Sequence, residues 1–164
     1  MTGHLHTAEV LWSLEGDLEK GRYSRAHVWR FDGGAEVAAS ASPSVVPLPW
    51  SSPAGVDPEE AFLAAVSSCH MLTFIDIARR KGVKVLRYED HAEGLMEVID
   101  PDSHPKRMGI TRVTLNPVLT LAGAIPPDPA LMVELHEEAH ALCFIANSVS
   151  CEIVVAAHPV VMAG

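Results

Sequence analysis

The chain has 164 residues, with 12 Lys or Arg against 21 Asp or Glu, for a net charge of −9 at neutral pH. That length suits one domain, 1–164, able to bury a core without help from disulfides or metals. The acidic balance argues against nucleic acid or an anionic membrane surface as partner, because both demand basic patches.

At the N-terminus, "MTGHLHTAEVLW" has no basic region followed by an apolar run, so no signal peptide is expected. Nor does any stretch reach the ~18 apolar residues of a membrane-spanning helix. Three cysteines, Cys69, Cys143 and Cys151, do not resemble a secreted disulfide framework. The expectation is a soluble cytoplasmic protein with reduced thiols.

Strands come first. "HTAEVLWSL" and "RAHVWRF" mix β-branched and aromatic residues with polar ones, and "DGG" at 32–34 predicts a hairpin over 24–40. The next segment carries prolines at 43, 47, 49, 53 and 58. Proline removes a backbone donor and fixes φ, so a stiff irregular loop is expected, with Trp50 packing inside it. Asp57, Pro58 and Glu60 form a helix start of capping-box type. The helix runs to about Lys81 and stops at Gly82. It is apolar nearly all round from Ala61 to Ile77, which predicts burial on most sides.

Two long strands, "VKVLRYEDHAEGLMEV" and "MGITRVTLNPVLTL", follow. A second helix starts at Asp128 and Pro129 and is expected to reach about Ala146, and "CEIVVAAHPVV" closes the chain as one strand. Strands outnumber helices without regular alternation, so the fold class is α+β with mostly antiparallel sheet.

The second helix contains "HEEAH" at 136–140, which has the form of the H-E-x-x-H zinc motif. Two protein ligands fall short of the three usual in catalytic zinc sites, and no Gly or His follows at the extended spacing. Glu152 or His158 could supply a distant third ligand, and neither is marked by any pattern. The expected reading is a polar helix face with solvated His and Glu, and no metal.

Cys69, in "SSCHML", sits among small and apolar residues, so an inert core thiol is one reading. A reactive thiol needs a cation near its sulfur. The early hairpin offers Arg22 and Arg25, and Glu59 at the helix start is a carboxylate able to hold a guanidinium. Glu59 and Cys69 lie about 15 Å apart along a helix, so spacing alone does not assemble the three.

"DPEEAFLAAVSSCHML" resembles the signature of the OsmC/Ohr family of thiol-dependent hydroperoxide reductases. The marks are a Pro-Glu pair, a small-and-apolar helix, and a cysteine ten residues after the Glu. "EGDLEKG", Gly82 and a cysteine on a later helix agree in order. The resemblance implies that Cys69 is the peroxidatic cysteine, Cys143 the resolving cysteine, and Glu59 the carboxylate that orients an arginine, Arg22 slightly before Arg25. Cys143 is followed by "FIANSV" where the family often has proline, which keeps Cys151 as the alternative. The implied fold is an intertwined homodimer with two long central helices between antiparallel sheets. His136 and His140 are then incidental or tune Cys143, and His70 is not expected to tune Cys69.

The chemistry so implied is reduction of organic hydroperoxides, lipid ones included, through a Cys69 sulfenic acid and a Cys69–Cys143 disulfide. An external dithiol of lipoyl type restores both thiols, and no cofactor is needed. Trp50, Phe62 and Val66 supply apolar walls for the substrate. A non-catalytic stress or binding protein of the same fold is the alternative function, and a zinc hydrolase the third.

Overall fold

The computed structural model describes residues 3–156 and 159–163, which fall into two compact units, Met1–Ala61 and Phe62–Gly164.

The first unit is built on short strands. β1 (Ala8–Leu11) and β5 (Glu36–Ala39) flank β4 (His27–Phe31) in an antiparallel sheet, and β2 (Gly16–Asp17) pairs with β3 (Arg22–Tyr23). The β4–β5 hairpin is the one expected over 24–40, turning through Gly34 at φ +83°. Gly16, at φ +109°, brings β2 so close to β3 that a Cβ there would strike the Arg22 carbonyl. The proline-rich loop is irregular yet packed. Ser40 is buried and its hydroxyl accepts the Ser52 amide at 2.9 Å, while the Trp50 carbonyl accepts the Arg25 amide at 2.9 Å.

α1 (Pro58–Arg80) starts on the expected reciprocal box. The Glu60 amide donates to the Asp57 carboxylate at 2.7 Å, and the Asp57 amide donates back to the Glu60 carboxylate at 3.1 Å. Two otherwise orphaned donors are thereby satisfied. The helix ends at Arg80, and Gly82 at φ +79° turns the chain away, a conformation that favours glycine.

In the second unit, β6 (Val85–Asp90) and β11 (Val160–Ala163) flank β9 (Pro117–Ala122), and β7 (Glu93–Asp100) and β10 (Glu152–Val155) flank β8 (Arg107–Leu115). β6–β9 and β7–β8 are antiparallel, whereas β10–β8 and β11–β9 are parallel, so the sheets are mixed. Each of the two expected long strands is broken in two, and the final strand is likewise split between both sheets. The break has a cause in side-chain hydrogen bonds. The Asp90 carboxylate takes the Asn116 amide at 2.6 Å and the Ser67 hydroxyl at 2.5 Å, while Asn116 Nδ2 donates to the His91 carbonyl at 2.8 Å. The Asn116 amide and the His91 carbonyl so spent leave the ladder, and Pro117 has no donor to return to it.

α2 (Pro129–Leu142) is capped by Asp128, which accepts the Ala130 amide at 2.9 Å. It ends four residues before the expected Ala146. Cys143 turns to extended backbone, and Asn147 Nδ2 takes the Ala141 carbonyl at 3.0 Å in place of a further helical turn. A 3₁₀ turn, Ala146–Ser148, follows.

Two apolar clusters organise this unit. Phe74, Ile77 and Ala78 of α1 pack with Leu119, Leu121, Met132, Leu135 and Ala139. Val66 packs with Val113 and Leu115, ringed by Phe62, Leu63, Ile153 and Cys151 among others. α1 therefore buries one stripe, Val66–His70–Phe74–Ile77, whose spacing of three and four residues marks a single helical face. Ala64, Ala65, Ser68 and Leu72 lie exposed, Leu72 at 65%. Burial on most sides does not occur within the single chain. α1 is also long and apolar enough, at mean hydropathy 1.6 over its best 18-residue window, to cross a membrane by composition, contrary to the sequence expectation. Its buried histidine and its stripe in two core clusters give that apolarity a use inside a globular unit.

Candidate functional site

Cys69 lies mid-α1, half-buried, on the stripe of Phe62 and Val66 that helical spacing of four and three creates. Cys143 is the residue at which α2 stops, fully buried. The fold brings these two thiols, from α1 and from the end of α2, close enough to perturb each other electrostatically. Burial pushes the Cys143 thiol up from its ordinary range, and the hydrogen bond and charge interaction with Cys69 push it further. The Ala146 amide, donating to Cys143 Sγ at 3.5 Å, pulls the other way, as does Ile145. Burial and the neighbouring Cys69 thus both favour the protonated thiol at Cys143. All three cysteines are free thiols.

Cys151 is half-buried against the Val66–Val113–Leu115 cluster, just before β10. Its neighbours there are apolar, the setting of a core thiol.

Beside the thiols lies an unexpected pair. His70 Nε2 and His136 Nδ1 are 3.0 Å apart, their rings stacked within 2° at a centroid distance of 5.3 Å. Phe74 stacks on the far side of His136 at 4.2 Å. Both imidazoles are buried, 1% and 4% exposed. The polar, solvated face expected for the H-E-x-x-H stretch is thus half wrong: His140 and Glu137 are exposed, whereas His136 faces the core. Residues 132, 136 and 139 share one buried stripe of α2, and the apolar partners of His136 on that stripe were the available signal. His70 likewise lies between Val66 and Phe74, on the buried stripe of α1.

His70 is pushed down to about 4. Burial is the main cause, the nearby His140 adds to it, and the Asp90 charge opposes it. A cavity of about 480 Å³ opens between α2 and β10, lined by Val133, His136, Glu137, His140, Ile153 and Val155 among others. Of the two distant donors, Glu152 is paired with Arg112 at 2.6 Å, and His158 lies outside the described residues. Among the described residues no group of three or more His, Cys, Asp or Glu is placed to hold a metal.

The remaining expected site residues are placed as follows. Arg22 is exposed on β3. Arg25 is half-buried and held on its own hairpin: its guanidinium lies 3.5 Å over the Tyr23 ring and donates to the Tyr23 carbonyl and, at 3.4 Å, to that of Gly21. Tyr23 is itself fixed by the edge of Trp12, 5.9 Å away. A flat cation over a ring keeps its charge while losing rotamer freedom. Glu59 is half-buried in the first turn of α1, and Trp50 half-buried in the proline-rich loop. Phe62 is half-buried, but Val66 is wholly buried in the second cluster and is a core residue.

Residues 51–158 match the model of a family described as OsmC-like protein. An OsmC-like protein of unknown function from Vibrio cholerae is similar over 94% of this chain and 99% of its own, at 42% identity and a TM-score of 0.87. An organic hydroperoxide resistance protein from Elizabethkingia anophelis shares the fold at 17% identity and a TM-score of 0.62, covering 99% and 100% of the two chains. That of Bacillus subtilis does so at 18% and 0.56, covering 96% and 98%. No curated protein sequence matches the chain.

Proposed function

The chain belongs to the OsmC-like family, and from that premise we propose that it is a single-domain, cysteine-based peroxidase that reduces organic hydroperoxides, lipid hydroperoxides among them. The observation that carries the reading is the proximity of Cys69 on α1 to Cys143 at the end of α2, close enough for each thiol to act on the other. The hydroperoxide resistance activity of the Elizabethkingia and Bacillus proteins of the same fold supports it.

In this reading the Cys69 thiolate attacks the terminal oxygen of the hydroperoxide. The O–O bond breaks, an alkoxide leaves and takes up a proton as the alcohol, and Cys69 becomes a sulfenic acid. The Cys143 sulfur then attacks Cys69. The S–O bond breaks, and hydroxide leaves with the Cys143 proton as water, so the S–S bond forms with no outside oxidant. An external dithiol, of lipoyl type, exchanges with that disulfide and leaves both cysteines reduced. Arg22 or Arg25 supplies the cation that stabilises the Cys69 thiolate, with Glu59 orienting it. Trp50 and Phe62 line the substrate's apolar body, and Val66 backs Phe62 from within the core.

The protein works as a cytoplasmic homodimer in this reading. The exposed Ala64–Ala65–Ser68–Leu72 face of an otherwise apolar α1 supports the dimer, because a second copy would take that face from water. No metal or bound cofactor takes part.

Intact mass tests the cycle. One equivalent of cumene hydroperoxide should remove two hydrogens per chain, and peptide mapping should place the bond between Cys69 and Cys143. A chain that gains one oxygen and forms no disulfide, or that is unchanged, overturns the two-cysteine cycle.

A further inference from the structure

The two helices that carry the thiols touch through a second pair of side chains. His70 follows Cys69 directly on α1. His136 precedes Cys143 by seven residues on α2, two full turns and so about 10 Å along the axis. The thiol contact and the imidazole contact are therefore neighbours on α1 but far apart on α2. Two such points fix both the position and the crossing angle of α2, which one point cannot do. With a lever of that length, a swing of about 10° around the histidines would carry Cys143 through about 2 Å. That exceeds what a hydrogen bond to sulfur or an S–S bond tolerates.

His70 Nε2 and His136 Nδ1, 3.0 Å apart, share one hydrogen, since a neutral imidazole carries a single N–H and one ring must donate while the other accepts. Phe74 packs against the His136 ring at a centroid distance of 4.2 Å.

We propose that His70 and His136 are positioning residues for the disulfide step: their hydrogen bond sets the register of α2 on α1 and so holds Cys143 Sγ against Cys69. The pair touches neither peroxide nor reductant. It acts only through the placement of Cys143, and it rests on the two-cysteine reading above for its use in turnover.

The test separates register from folding and from peroxidase activity. The equilibrium of the Cys69–Cys143 disulfide against a glutathione redox buffer gives the effective concentration of the two thiols, with no peroxide present. His136→Leu removes one partner of the hydrogen bond and should lower that concentration about tenfold, the equivalent of one net hydrogen bond. The same variant should be oxidised by one equivalent of hydroperoxide at Cys69 as fast as the parent, but close the disulfide about tenfold more slowly. Glutamine imitates an imidazole at Nε2 and asparagine one at Nδ1, so His70→Gln/His136→Asn should return both values to within about threefold of the parent. Should His136→Leu not fold, His70→Asn, whose amide is too short to reach His136, carries the same comparison.

An unchanged effective concentration in the leucine or short-amide variant overturns the proposal, as does a folded Gln/Asn pair that gives no rescue. If the glutathione results hold but no variant reacts with hydroperoxide, the register role stands and the peroxidase reading falls.

Discussion

Two polar pairs join α1 to α2, and they are built on opposite terms. The thiol pair sits where α2 stops, one partner half-buried on a helix and the other at a helix end. The imidazole pair is sealed between stacked rings in the main apolar cluster, away from water. A pair that must change its covalent state needs one accessible partner, here the half-buried Cys69, and a place where backbone can adjust, here the end of α2 at the buried Cys143. A group that only sets position is better held by packing, because a buried hydrogen bond in a low-dielectric core resists slipping. The difference accords with the two proposals, turnover for the thiols and register for the histidines, and each can be attacked separately.

The largest effect is expected from Cys69→Ser. A hydroxyl cannot replace a thiolate as nucleophile toward peroxide, so hydroperoxide reduction should drop to the uncatalysed background. The thermal midpoint should move little, since Cys69 is half-buried and serine is close in size. Most of the activity surviving in a coupled assay with cumene hydroperoxide and dihydrolipoamide would leave the thiol pair without its function.

The next effect belongs to the histidines and is read in stability. His70 titrates near 6.5 in an unfolded chain and is pushed down to about 4 in the fold, burial being the main cause. Between those values the unfolded chain holds a proton that the folded chain refuses. Stability is therefore unaffected above about pH 6.5, falls as pH drops below it, and levels off beneath about 4. The loss is on the order of 3 kcal/mol across the window. Urea midpoints from pH 7.5 to 4.5 measure it, and His70→Gln/His136→Asn should flatten this limb relative to the parent. A parallel decline in both proteins would show that the pair is not the acid-sensitive element.

What could be read from the sequence follows the same division between local and distant. The α1 box, Asp57 with Glu60, was legible because both partners lie within one turn. So were the Gly82 stop, the β4–β5 hairpin and the family motif around Cys69. The breaks at Asp90 and Asn116 were not, since the carboxylate that causes them reaches across 26 residues to an amide. Parallel pairing of β10 and β11 leaves no mark in a short apolar run, which reads alike in either direction. His70 and His136 are 66 residues apart, so no local pattern pairs them, and His136 reads in sequence as part of a solvated face.

A smaller effect concerns the cation. Arg25 is pre-set over Tyr23 by its carbonyl bonds, whereas Arg22 is exposed on β3. Replacing the arginine that serves Cys69 with Ala should slow the first oxidation about tenfold or more, since hydrogen bonds to charged groups contribute about 1.5–3 kcal/mol. Glu59→Ala should slow it less, because the charge survives and only its orientation is lost. Stopped-flow measurement of single-turnover oxidation separates these from the disulfide step. If neither arginine changes that rate, activation of the thiol pair lies elsewhere.

The smallest effect is expected at Cys151, and it decides which thiol completes the pair. Cys151 packs against the Val66–Val113–Leu115 cluster, whereas Cys143 meets Cys69 directly. Cys151→Ser should therefore leave turnover with a dithiol reductant unchanged. A modest loss of stability is the only cost, because a hydroxyl then meets apolar neighbours. Cys143→Ser should react once with hydroperoxide and then stall, leaving the Cys69 sulfenic acid open to further oxidation. Mass spectra taken after repeated peroxide additions distinguish the two: sulfinic acid should accumulate in Cys143→Ser but not in Cys151→Ser. Were the pattern reversed, the contact seen between α1 and the end of α2 would be a resting arrangement, and the resolving thiol would have to arrive from the start of β10.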